Sequence, residues 1–253
     1  MLKTLAIIQA RMGSSRLPNK VLMELKGKTV LERVVERVLK SECINDVIVA
    51  TTIEKQDLAI VKLCADKDIR VFCGSETDVL DRYYQCAKLL SPDHVVRITA
   101  DCPMIDVDVM DLVISTHLNN GSDYSSNTLE PTYPDGLDTE IMKFSVLEEA
   151  WQKAKLMSQR EHVTQYIIHN DRYSKSSIKN DVDYGNERWT LDTDNDYSFI
   201  KCVYNELYDI NPNFGFGDII SLLNKKPELR MINNDSKRNE GLSKSLKNDY
   251  LMN

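Results

Sequence analysis

Four short apolar runs alternate with four amphipathic stretches along the first 120 residues of this 253-residue chain, and that alternation leaves few folds open. Leu5–Gln9, Val47–Thr51, Arg70–Cys73 and His94–Thr99 read as strands. Thr29–Lys40, Gln56–Asp68, Asp78–Leu90 and Val107–Asn119 read as helices. In the first helix Leu31, Val34, Val35, Val38 and Leu39 share one face, Glu32, Arg33, Glu36 and Arg37 turn outward, and Thr29 is placed as the N-cap. Apolar strands separated by helices imply a mostly parallel central sheet with helices on both faces, an α/β fold. Right-handed crossovers then collect the strand-to-helix loops on one edge. There lie residues 10–20, Thr51-Thr52, Gly74–Asp81 and Asp101-Cys102-Pro103, the expected place for a nucleotide-sized site.

The alternation stops after Asn119. Residues 122–140 are polar and turn-rich, long enough for a functional loop. Helices are expected at Ser145–Lys155, Glu161–Asn170, Asp196–Tyr208 and Gly217–Asn224, with a short strand at Arg188–Leu191 rejoining the sheet. The expected organisation is one domain over 1–232, with a nucleotide-binding half (1–120), an elaborated half (121–195) and C-terminal helices (196–232). Residues 233–253 are a polar tail or a docked helix. A net charge of −7 argues against a general nucleic-acid or membrane-surface protein. The six cysteines form no C-x-x-C pair, Cys64 and Cys86 fall in apolar helical patterns, and neither a zinc site nor a disulfide framework is suggested. The first strand is too short to span a membrane and lacks signal-peptide flanks, so a cytoplasmic location is expected.

Against this acidic background, the loop Ala10-Arg11-Met12-Gly13-Ser14-Ser15-Arg16-Leu17-Pro18-Asn19-Lys20 stands out. Gly13 allows close approach, the serines and backbone N–H groups can donate, and Arg11, Arg16 and Lys20 supply charge for an anion rich in oxygens. Neither G-x-G-x-x-G nor G-x-x-x-x-G-K-[ST] is present. The plainer alternative is a solvated basic turn. Asp101 ends an apolar strand before Cys-Pro, and a carboxylate there facing an anion rich in oxygens suits Mg²⁺, a hard cation that takes oxygen ligands. Asp192 and Asp194 follow the late strand and are candidates to complete that site. The four histidines have no metal-binding spacing, and His94 and His117 read as structural.

Taken together, AIIQARMGSSRLPNKVL, GKTVLERVVERV, IVATT, GSETDVLDRYYQ, VRITADCPMI and YPDGLDTE resemble the spore-coat polysaccharide biosynthesis cytidylyltransferase-like family over roughly residues 3–195. That family is related to the CMP-sugar synthetases that activate ketodeoxyoctonate and sialic-type acids. The resemblance implies a nucleotide-diphospho-sugar transferase fold (glycosyltransferase-A-like), CTP as donor, Mg²⁺ and a sugar or sugar-acid acceptor. The synthetases' pattern A-R-x-x-S-x-R-[LI]-P-x-K is met by Ala10, Arg11, Ser14, Arg16, Leu17, Pro18 and Lys20.

On that basis Arg11, Arg16 and Lys20 hold the β- and γ-phosphates and, with Asp101, form the catalytic set. Ala10 reads the pyrimidine, while Gly13, Ser14, Thr52, Gly74 and Arg82 complete the nucleotide site. Arg82 has a plainer alternative, an exposed helix cation paired with Asp78. The resemblance favours Asp192 as the second metal ligand; Asp194 is either a third or a cap for the next helix. The acceptor is expected against Tyr133, Asp135, Asp138, Glu140, Arg160 and His162, although residues 160–162 could equally make local salt bridges at a helix start. The expected reaction yields a CMP-sugar and pyrophosphate, a precursor for surface polysaccharide. The alternative is a glycosyltransferase of the same fold using a preformed nucleotide-sugar. It is disfavoured because the loop after the fourth strand carries a single acid, and Asp192-Thr193-Asp194 comes much later. A homodimer is left open by the resemblance.

Overall fold

Strand β1 (Thr4–Gln9) is an interior strand of a seven-stranded sheet in a computed structural model that describes residues 2–234, 238 and 240–252. A short hairpin, β2 (Glu24–Leu25) and β3 (Lys28–Thr29), leads into α1 (Val30–Val38). Next come β4 (Asp46–Thr52), α2 (Leu58–Asp66), β5 (Val71–Gly74), α3 (Val79–Leu90), β6 (His94–Thr99) and α4 (Val107–Asn120). The second half adds β7 (Tyr124–Ser126), β8 (Glu140–Lys143), α5 (Phe144–Lys153), α6 (Met157–Glu161), α7 (Gln165–Ile168) and β9 (Lys175–Ser177). Three helices follow: α8 (Asp194–Leu207), α9 (Phe216–Lys225) and α10 (Glu240–Lys247).

The strand order is β5-β4-β1-β6-β8-β7-β9. β5, β4, β1 and β6 are parallel, as the alternation requires, and β8 runs antiparallel to both β6 and β7. Alternate residues of each strand enter opposite layers. Ala6, Ile8, Val96 and Ile98 pack with Leu31, Val34 and Val38 of α1 and with α4 and α8. Leu5, Ile7 and Val95 pack with Leu80 and Tyr83 of α3 and with α5. Cys64 and Cys86 are both fully buried in these layers. Thr29 caps α1 in a reciprocal box with Glu32. Among the described residues, no helix is long and apolar enough to cross a membrane.

Four local expectations are overturned. Glu32, Arg33 and Arg37, expected to turn outward from α1, are buried, and Leu39, expected on its apolar face, is exposed. Arg188–Leu191 is not a strand: it touches the neighbouring backbone through one parallel bridge, Asp135 to Arg188. The ladder stops because Gly136 turns away at φ 114°, so close to Trp189 and Thr190 that a Cβ would lie 2.6–2.8 Å from their backbone atoms. The helix expected at Glu161–Asn170 is two short helices, α6 and α7, parted at Val163, whose φ is 57°. The polar stretch 122–140 contains β7 and runs into β8; the two strands pair with each other, β8 also pairs with β6 and β7 with β9.

Candidate active site

The loop after β1 owes its shape to one buried carboxylate. Asp57 accepts the Met12 backbone N–H at 2.7 Å and the Thr52 hydroxyl, and the Met12 carbonyl accepts from Ser14 and Asn19. Asn19 takes a left-handed conformation (φ 63°), which turns the chain so that Lys20 re-enters the molecule. Thr52 is therefore placed behind the loop and not in the pocket. Gly13 also lies beneath it, where a Cβ would meet Gln56 Nε2 at 3.0 Å.

Lys20 is 8 % exposed, and its ammonium donates to Asp101 Oδ2 (2.6 Å), Asp192 Oδ1 (2.8 Å) and the Leu191 carbonyl (2.8 Å). Burial opposes that charge, but Asp101 and Asp192 outweigh it and raise the lysine pKa. Burial works against the Asp101 carboxylate too, yet Lys20 holds its pKa down to about 2. The two acids meet because the Leu191 N–H donates to the Asp101 carbonyl at 2.8 Å, which docks residues 191–192 beside the end of β6.

Asp192 is held from three sides. Besides Lys20, its Oδ2 meets Arg16 and Arg188, each at 2.9 Å. Arg188 is a hub, also paired with Asp135 (3.1 Å) and with the fully buried Asp196 (2.9 Å). Asp196 closes a capping box with Thr193 at the start of α8. Asp194 stands exposed in the first turn of α8, away from this cluster, so the structure does not bring it to the metal candidates.

A pocket of about 580 Å³ opens beside the two acids. Ala10, Arg11, Ser14, Arg16, Lys20, Arg82, Asp101, His162 and Asp192 line it. Arg82 is only 2 % exposed, bonds the Ser75 carbonyl at 2.7 Å and does not pair with Asp78 as a surface cation would. Gly74 supports it from outside the pocket, since a Cβ there would sit 3.0 Å from Arg82 Cγ.

Most of the expected acceptor set lies elsewhere. Asp135 is taken by Arg188, and Asp138 by Arg238 at 2.6 Å. Tyr133 is buried edge-on against Phe216, and Glu140 pairs with Arg97. Arg160 does not face the pocket: it grips Asp78, the N-cap of α3, and donates to the Trp151 carbonyl at 2.6 Å. Only His162 of that set reaches the pocket wall, where Nε2 lies 2.9 Å from Ser245 Oγ.

Sequence reasoning missed Arg97, Arg188 and the C-terminal segment. Arg188, Asp192 and Asp196 follow one another at intervals of four, a spacing that advertises a helix-start charge network. Helix α10 lies over the pocket mouth, with Glu240 paired to Arg16 at 2.9 Å and Ser245 bonded to Glu161 at 2.7 Å. Beyond it Leu251 bridges to Leu156, and Asp249 accepts from Ser158. Residues 235–237, 239 and 253 of the tail considered above lie outside the described residues.

A mostly parallel sheet with a basic loop after its first strand, one acid at the end of β6 and a second on the segment docked beside it defines a nucleotidyltransferase fold with a polar site on its loop edge. The sequence profile of the cytidylyltransferase family matches residues 5–209, and the chain belongs to that family of enzymes. It is 41 % identical over 240 residues to an uncharacterized protein of Methanocaldococcus jannaschii, covering 92 % of this chain and 96 % of that one. It is 34 % identical to the spore coat polysaccharide biosynthesis protein SpsF of Bacillus subtilis, covering 88 % and 95 %. Among solved structures, a cytidylyltransferase from Leptospira borgpetersenii superposes with a TM-score of 0.87 at 32 % identity, covering 94 % of this chain and 99 % of that one. A CMP:2-keto-3-deoxy-manno-octonic acid synthetase complexed with CTP shares the fold at a TM-score of 0.61 and 17 % identity, covering 81 % and 99 %.

Proposed function

We propose that this enzyme transfers CMP from CTP to a hydroxyl of a sugar acid, with Mg²⁺, releasing pyrophosphate and supplying an activated sugar for surface polysaccharide. The observation that carries the reading is the meeting of a three-cation loop with Asp101 and Asp192 on the wall of one nucleotide-sized pocket.

The donor set suits a hard cation. Asp101 and Asp192 converge on one ammonium, and magnesium is commonly bound through one or two carboxylates, with phosphate and water oxygens filling the remaining positions. Among the described residues no group of three or more His, Cys, Asp or Glu side chains forms a metal cage. Held by Asp101 and Asp192, magnesium would draw charge from the α-phosphate and fix its orientation.

Arg11 and Arg16 bind the β- and γ-phosphates, and Lys20, whose three N–H groups are held by Asp101, Asp192 and the Leu191 carbonyl, turns from the acids toward them as the triphosphate enters, where negative charge builds as the α–β bond breaks. Arg188 keeps Asp192 aimed through the salt bridge described above. The acceptor oxygen attacks the α-phosphorus in line, its proton is released as the new P–O bond forms, and pyrophosphate departs toward the cationic loop. No covalent enzyme intermediate is required. To reach Arg16, the triphosphate displaces the carboxylate of Glu240.

Pyrophosphate release tests the reading, using CTP, UTP, ATP and GTP in turn with Mg²⁺ and a panel of sugar acids. Release with CTP and an acid is the expected result. Silence with every nucleotide would sink it.

A further inference from the structure

Arg97 is a pocket cation for which the mechanism above has no use. It stands on β6 on the same face as Thr99, and both side chains line the pocket. Across the sheet it is in register with Glu140 of β8, and its Nη1 donates to Glu140 Oε1 at 3.1 Å. The guanidinium is not satisfied by that bond. Its Nε is buried without an acceptor, and Nη2 has no acceptor among the described residues. Such a group is a planar donor in a sheltered place, which matches an oxyanion.

Its position separates it from the phosphate machinery. Arg11, Arg16 and Lys20 come from one loop beyond β1, whereas Arg97 lies on the β8 side of the sheet, where the parallel half gives way to the antiparallel one. The salt bridge to Asp78 withdraws Arg160, the residue the sequence offers for an acceptor's charge. His162 shares the pocket and is close enough to feel both Arg97 and Arg11. Glu140 half-neutralises Arg97, so a monoanion suits the site better than a dianionic phosphate.

We propose that Arg97, steadied by Glu140, is a specificity residue that binds the carboxylate of the acceptor sugar. The inference rests on the cytidylyl-transfer reading and adds the group that selects the acceptor.

The test uses the full chain, its Arg97→Lys form and an Arg97→Gln/Glu140→Gln form, which removes both charges and leaves no bare buried carboxylate. Calorimetry with CTP and Mg²⁺ comes first, and CTP affinity should stay within about 3-fold across the three proteins. Pyrophosphate release is then measured with 2-keto-3-deoxy sugar acids of six to nine carbons and with their carboxamides. The unaltered enzyme should favour an acid over its amide by about 10–100-fold in kcat/KM, the range for a charge-assisted contact. The double variant should lose that preference, mainly through acceptor KM, and Arg97→Lys should keep part of it. Three results overturn the proposal: equal use of acid and amide by the unaltered enzyme, an undiminished preference in the double variant, or a loss of CTP affinity as large as the loss in kcat/KM. CTP binding with no turnover of any acid also overturns it while sparing the nucleotide site; absence of CTP binding overturns the underlying reading instead.

Discussion

Replacing Lys20 by methionine removes the ammonium that joins Asp101 to Asp192 while keeping the length of the side chain. Taking one partner from a buried ion pair costs about 3–5 kcal/mol. The low end applies here, because Asp192 keeps Arg16 and Arg188 and the Asp101 side chain is 25 % exposed. A second route gives a similar size. Asp101's pKa falls from 3.8 to about 2 in the folded protein, which at about 1.36 kcal/mol per unit is about 2.5 kcal/mol at neutral pH. At about 2–4 °C per kcal/mol for a chain of this size, a loss of about 3 kcal/mol lowers Tm by about 6–12 °C.

The pH dependence has a definite sign. A depressed carboxylate pKa stabilises the protein above its unfolded value, and that contribution is lost as pH falls toward the folded value. The gap between the two proteins should therefore narrow below about pH 4. If Asp101 and Asp192 hold magnesium, a concentration about 100 times its Kd restores about 2.7 kcal/mol to the variant. The unaltered protein, whose carboxylates already share Lys20, should gain less. Scanning calorimetry at pH 7 with and without MgCl₂ reads both effects. An unchanged Tm in the variant would show that Lys20 does not stabilise the two acids, and a magnesium shift no larger than in the unaltered protein would show that they do not hold the metal.

Other expectations concern separate parts of the structure. Arg16→Ala should weaken CTP binding about 10–100-fold yet move Tm by no more than about 4 °C, because its salt bridges are partly exposed; calorimetric titration and melting together check this. Asp101→Asn should lower kcat about 100-fold or more and lower Tm by about 5–10 °C, since asparagine still accepts from Lys20 but forfeits the roughly 2.5 kcal/mol of the ionised carboxylate; full activity at limiting Mg²⁺ contradicts the ligand assignment. His117 is fully buried against His94 and Ser125, and burial, with His94 and Lys143 adding to it, pushes its pKa down to about 4. The unfolded chain protonates it near pH 6.5, so stability should fall by about 3 kcal/mol between about pH 6.5 and 4. His117→Gln should flatten that part of the Tm–pH curve, and an unaltered slope would show that another group is responsible.

The parallel half was legible because each of its strands is an apolar run bounded by a helix with one apolar face. Thr29 and Glu32 even spell out the capping box that starts α1. The antiparallel half was not. Tyr124–Ser126, Glu140–Lys143 and Lys175–Ser177 are three or four residues long and partly polar, and they become strands through their neighbours rather than their own periodicity. Arg160 misled because a helix was expected to begin beside it. Instead it stands near the end of α6, within reach of the α3 cap. Loop residues 10–20 were readable as a charge cluster, whereas the supporting carboxylate Asp57 comes from a distant segment that no local pattern connects to them. Arg97 looks in sequence like one polar residue in a core strand; only the register with Glu140 and the open pocket give it a role.

A crystal structure with CTP and Mg²⁺ would decide whether loop and acids share one substrate. The triphosphate should lie between Arg11, Arg16 and Lys20, with a metal ion bound by Asp101 and Asp192 against the α-phosphate and the Glu240 carboxylate moved off Arg16. A nucleotide bound on another face, or one in this pocket with its phosphates turned away from that loop and those acids, would contradict it.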